Sequence, residues 1–84
     1  MRQIRDIRQL RQSISKGCNE FRLILRGGGL FSRKTIMLSS DGQFVVTNHI
    51  DGTVQKLSGR QLHSQSNIGK AMKLGALIAL EDDE

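Results

Sequence analysis

Four cations and one aromatic gather in a short stretch of this chain: Arg22, Arg26, Phe31, Arg33 and Lys34. Arg and Lys supply the phosphate contacts that dominate nucleic-acid affinity. A phenylalanine on an open sheet can stack an unpaired base. Arg5 and Arg8, further upstream, would extend the same positive surface. Gly27-Gly28-Gly29 lies inside the stretch, and its backbone N–H groups could cradle a phosphate. Neither P-loop spacing nor a strand-to-helix setting accompanies these glycines, so a hairpin turn is the simpler reading.

A second set of residue types suits nucleophilic chemistry: Cys18, His49 and Asp51. No defined spacing brings them together, and Asp51 precedes Gly52 in a turn dipeptide. A catalytic site needs mutually placed groups in a pocket, so no catalytic residue is assigned and an enzyme is not expected. The single Cys18 makes no internal disulfide and no zinc motif, so neither a metal nor a cofactor is expected.

The elements that must position these residues follow from periodicity. Ile4, Ile7, Leu10 and Ile14 share one stripe at helical spacing, which predicts a helix over residues 2–16 ending at Gly17. Arg2, Arg5, Arg8 and Arg11 would spiral along its flank. Four strands are expected next, over residues 18–26, 30–39, 43–50 and 53–57. Asp41-Gly42 and Asp51-Gly52 supply the turns between the later ones. Ser58 and Asn67 can cap two short helices, Gly75 can end the second, and residues 76–80 suit a short final strand.

The expected fold is therefore α+β: an N-terminal amphipathic helix packed on a four-stranded antiparallel meander, followed by one or two short C-terminal helices. Residues 1–80 form one domain, and the acidic residues 81–84 a mobile tail. With the first helix over one sheet face, Arg22, Ile24 and Arg26 share the other with Phe31, Arg33, Thr35 and Met37. Val45, Thr47 and His49 belong to that parity too. The alternative places Phe31 and Met37 beneath the C-terminal helices, with the arginines as rim charges.

Charge sharpens the polarity. The chain of 84 residues carries a net charge of +5. Residues 1–34 hold nine Lys or Arg against Asp6 and Glu20, giving +7, and the remainder holds four against six, giving −2. A basic first half suits nucleic acid or another anionic partner. It also suits a tail that folds back on its own basic surface. No apolar run reaches bilayer-spanning length, so membrane insertion is not expected. The lone cysteine and the lack of a secretory leader point to the cytoplasm.

Three strings carry a resemblance: Gly28-Gly29-Leu30-Phe31-Ser32-Arg33-Lys34-Thr35-Ile36, Asn48-His49-Ile50-Asp51-Gly52-Thr53, and Ser66-Asn67-Ile68-Gly69-Lys70-Ala71. Over residues 17–78 the chain resembles small proteins of gut bacteria of the Bacteroides group, a set to which no function is attached. The resemblance implies a bacterial cytoplasmic protein and transfers no catalytic or binding residue. The expected function is a small binding module, first for nucleic acid through a basic sheet face. The alternative is a protein-interaction or homodimerisation module. No small-molecule substrate is expected.

Overall fold

Asp6 fixes where the first helix begins. In the computed structural model, which describes residues 2–24 and 31–80 and only the backbone of Phe31 and Ser32, Asp6 adopts an extended conformation. Its carboxylate accepts the Gln9 N–H at 2.8 Å, while Gln9 Oε1 accepts the Arg5 N–H at 2.7 Å. This reciprocal cap starts α1 at Ile7–Ser15. The expected helix over residues 2–16 is thus too long at its start. Arg2–Gln3 instead form a two-residue strand, β1, and the Ile4 N–H donates to the Leu77 carbonyl at 2.8 Å. Ile4, directly after β1 and tied to Leu77, is fully buried there and not through a helical stripe. Only Arg8 and Arg11 of the four spaced arginines lie on the helix.

The strands that follow are β2 (Glu20–Ile24), β3 (Phe31–Leu38), β4 (Phe44–Asn48) and β5 (Val54–Leu57). Gly42 and Gly52, in the turns before β4 and β5, take φ values of 82° and 74°, which L side chains rarely adopt. Two helices come next, α2 (Gly59–Gln65) and α3 (Asn67–Leu74), joined by Ser66 alone. Ser58 and Gln61 form a full capping box on α2, and Ser66, not Asn67, caps α3. Gly75 ends α3 in the left-handed conformation, and β6 (Leu77–Ala79) closes the order.

These elements make an α+β fold with three helices and a six-stranded antiparallel sheet in the order β1-β6-β2-β3-β4-β5. The expected meander lacks β1, and the short final strand expected over residues 76–80, here β6, joins the same sheet. β6 pairs with β2 through Phe21↔Ala79 and Leu23↔Leu77, and with β1 through Arg2↔Ala79. The edge of β2 away from β3 is therefore filled by the last strand of the chain. Sequence alone could not show this, because the pairing joins segments separated by nearly the whole chain.

One face of the sheet carries Phe21, Leu23, Ile36, Phe44, Val46, Leu77 and Ala79, all buried. Leu10 of α1, Leu62 of α2, and Ile68, Ala71 and Met72 of α3 pack into the same cluster. All three helices therefore lie on this face. Each large side chain removed from water here contributes about 1.5–3 kcal/mol. Arg11 ties α1 down at its edge, donating to the Gly42 carbonyl at 3.0 Å and stacking 4.7 Å over the Phe44 ring. Ile50, the last residue of the strand expected over 43–50, lies beyond β4 and is 77% exposed in the turn before β5. The triple-glycine turn and the acidic tail lie outside the described residues.

Candidate binding face of the sheet

With the described helices on one side, strand alternation presents every second residue on the other. Cross-strand register arranges them in rows. Gln3, Ile78, Arg22 and Arg33 stand opposite one another across β1, β6, β2 and β3. The next row is Glu20, Thr35, Thr47 and Val54, and the row beyond it is Met37, Val45 and Lys56. Met37 is 51% exposed and Val54 63% exposed, so no helix covers this surface. The reading that placed Met37 under the C-terminal helices is excluded by that exposure.

Arg22 and Arg33 are direct Cα partners, and like charges in that position repel. Glu20, one row away, relieves part of the repulsion: its Oε1 accepts from Arg33 Nε at 2.8 Å. Its Oε2 accepts the Thr35 hydroxyl at 2.6 Å. Thr35 Oγ1 also lies 2.5 Å from His49 Nε2. The Thr35 bond, ahead of the Arg33 interaction, holds the Glu20 carboxyl below its ordinary range against the opposing effect of partial burial. The chain Arg33–Glu20–Thr35–His49 is thus a fixed polar network across an open sheet.

A shallow recess of about 260 Å³ adjoins it, lined by Arg2, Gln3, Arg22, Ile24 and Ile78. It offers guanidinium groups beside apolar carbon, a combination suited to a phosphate next to a flat or aliphatic body.

The structure separates the residues singled out from the sequence. Arg22 and Arg33 share the helix-free face. Lys34, one residue along β3, has the opposite parity and pairs with Phe21 and Asn48. Arg8 lies exposed on α1, on the helix side of the sheet. Arg5 precedes α1 and donates to Gln3 Oε1 at 3.0 Å. The backbone of Phe31 pairs with Ile24, and Arg26 lies outside the described residues. Glu20 was not singled out, although it is one of only two acids in the basic first half and was a detectable partner for the arginines.

Cys18, His49 and Asp51 each have different surroundings. Cys18 is half-buried, with its thiol 3.7 Å from the Glu20 carbonyl. His49 joins the network just described. Asp51 accepts both the N–H and the hydroxyl of Thr53, at 3.0 and 2.7 Å, and these bonds hold its carboxyl below the usual range. Among the described residues no group of three His, Cys, Asp or Glu side chains could hold a metal ion. None of the described helices is long and apolar enough to cross a membrane. Comparison with known proteins finds no matching family model, no similar curated protein and no similar solved structure.

Proposed function

We propose that this protein is a small binding module that meets nucleic acid on the helix-free face of its sheet. The observation that carries this reading is the placement of Arg22 and Arg33 directly opposite each other on a sheet face that none of the described helices covers. Two guanidinium groups facing each other across adjacent strands can hold one phosphate between them through charge-assisted hydrogen bonds. The excess of +7 over residues 1–34 adds a longer-range attraction for polyanions. Thr35 and His49 place hydrogen-bonding groups beside the arginines. Arg26 and Phe31 complete the set by sequence. Glu20 already neutralises part of Arg33, so binding is moderate, salt-dependent and weakly sequence-selective. A bacterial, cytoplasmic setting accords with the resemblance and with the lone cysteine. No catalytic role is assigned.

A second reading draws on Ile24, Met37 and Val54, half exposed or more on the same face. Apolar side chains so placed favour a protein partner or a second copy of the chain. Labelled single-stranded DNA, single-stranded RNA and duplex DNA, titrated at low and near-physiological salt, separate the two. Nucleic-acid binding should weaken with salt, and Arg22→Gln with Arg33→Gln should reduce the single-strand salt slope by about 1.4. Absence of binding at low salt refutes the nucleic-acid reading. Self-association abolished by Met37→Glu would then support the second.

A further inference from the structure

The helices cover their side of the sheet unevenly. Where α2 turns into α3, the paired ends of β3, β4 and β5 are left beneath a cleft of about 480 Å³. That volume falls within the range of small-molecule sites. Val46 and Ile68 supply apolar surface, and Lys34, Asn48, Gln55 and Asn67 supply polar groups around it.

Lys34 is the unusual member. Its parity is that of the core residue Ile36, and it is half-buried on the helix side of the sheet. Among the described residues it makes no hydrogen bond or ion pair. Asp51, also lining the cleft, feels its charge and holds the Thr53 N–H and hydroxyl on its Oδ1 alone. The Lys34 stem packs on the helix side while its ammonium is left for a ligand, and an anion in the cleft gains a charge-assisted contact there. The neighbouring carboxamides add the second half of a recognition site. Asn48 gives its oxygen to the Ile50 N–H at 3.0 Å and retains its NH₂ donors. Gln55 and Asn67 offer both a donor and an acceptor. Side-chain amides of this kind match the paired donor and acceptor edges of nucleobases.

We infer that this cleft binds a nucleoside monophosphate, with Lys34 on the phosphate, the Asn48, Gln55 and Asn67 carboxamides on the base edge, and Val46 and Ile68 against the base face. The site lies on the opposite side of the sheet from Arg22 and Arg33 and does not depend on the face proposed above for nucleic acid. The two fail separately: Arg22→Gln with Arg33→Gln leaves the cleft intact, and Lys34→Gln leaves the helix-free face intact.

The test is a ¹⁵N-correlated NMR titration of the whole chain with AMP, GMP, CMP and UMP, and with inorganic phosphate and ribose 5-phosphate as base-free probes. The expected result is saturable movement of the Asn48, Gln55 and Asn67 side-chain amide signals with at least one nucleotide. Lys34→Gln should weaken that binding about tenfold, the loss of one charge-assisted hydrogen bond. Gln55→Ala, at an exposed position, should change the ranking of the four nucleotides with the fold unaltered. Equal movement with inorganic phosphate alone, unsaturable movement, or movement confined to the Arg22 and Arg33 face would each overturn the proposal.

Discussion

Substituting Gly69 by alanine tests how closely α2 and α3 are packed. A Cβ built on Gly69 would collide first with the His63 carbonyl oxygen, and would lie 2.5 Å from the Leu62 carbonyl oxygen and 2.6 Å from the His63 carbonyl carbon. All three are backbone atoms at the end of α2, and none can rotate away. Ser66 holds the junction shut, donating to the Leu62 carbonyl at 2.5 Å and accepting the Gly69 N–H at 3.2 Å. To reach ordinary contact the two helices must part by about an ångström, which loosens Leu62, Ile68, Ala71 and Met72 together. Overpacking of this kind costs about 1–3 kcal/mol, and involvement of four core residues places it near the top. The helix propensity of alanine returns up to about 1 kcal/mol. The net loss is about 2 kcal/mol, or a fall in Tm of about 8–16 °C for a domain of this size.

Gly59→Ala is the matched control. Its Cβ would meet Arg11 Nη2 at 3.3 Å, the far end of a flexible side chain, then Ile7 and Phe44 at 3.6 and 3.7 Å. Its Tm should stay at the wild-type value or rise slightly. Thermal unfolding of the three proteins by circular dichroism decides the matter. A Gly69→Ala variant as stable as the parent would show that α2 and α3 separate freely, and the close-packing argument would fail.

Other perturbations probe separate features. The Ser13 hydroxyl is fully buried without a hydrogen-bond partner among the described residues, so Ser13→Ala should raise stability by about 1 kcal/mol in urea titration. A lower urea midpoint would mean that the hydroxyl is satisfied after all. Asp6→Ala removes the cap on Gln9 and should cost about 1 kcal/mol, whereas an unchanged midpoint would show that β1 alone sets the start of α1. Glu20, Asp41 and Asp51 all have carboxyls held below their ordinary ranges: Glu20 chiefly by Thr35, Asp41 by Ser39 and then Lys56, and Asp51 by Thr53. The unfolded chain therefore binds more protons, so this stability is present above the ordinary carboxylate range and lost as pH falls through the depressed values. Thr35→Val removes the main influence on Glu20 and should move the acid-unfolding midpoint upward; a midpoint that stays put would leave Glu20 out of acid unfolding.

Much of the fold was legible because its signals are local. Asp41-Gly42 and Asp51-Gly52 mark turns through backbone conformations that glycine tolerates. Ser58 with Gln61 marks a helix start, and Gly75 a helix end. The start of α1 was readable too: Asp6 followed three residues later by Gln9 is a capping pattern, but the regular spacing of Ile4, Ile7, Leu10 and Ile14 overrode it. Ile4 fits that stripe by coincidence. Its burial comes from pairing with β6, which no local pattern encodes.

The candidate sites show the same division. Alternation along β2 and β3 was enough to group Arg22 with Arg33 and to set Ile36 on the other face. Lys34 belongs to the Ile36 set by that same alternation, but a lysine reads as surface wherever it falls. Its half-buried place in the cleft depends on where the junction of α2 and α3 lies above the sheet. Local chemistry, acting over a few residues through hydrogen bonds and allowed backbone angles, is written in the sequence by itself: the turns, the caps and the two faces of each strand. Tertiary packing alone decided that β6 enters between β1 and β2, that all three helices share one face, and that a lysine lines the cleft at the junction of α2 and α3. Those outcomes rest on contacts between distant segments, where burial of the whole apolar surface outweighs any single local preference.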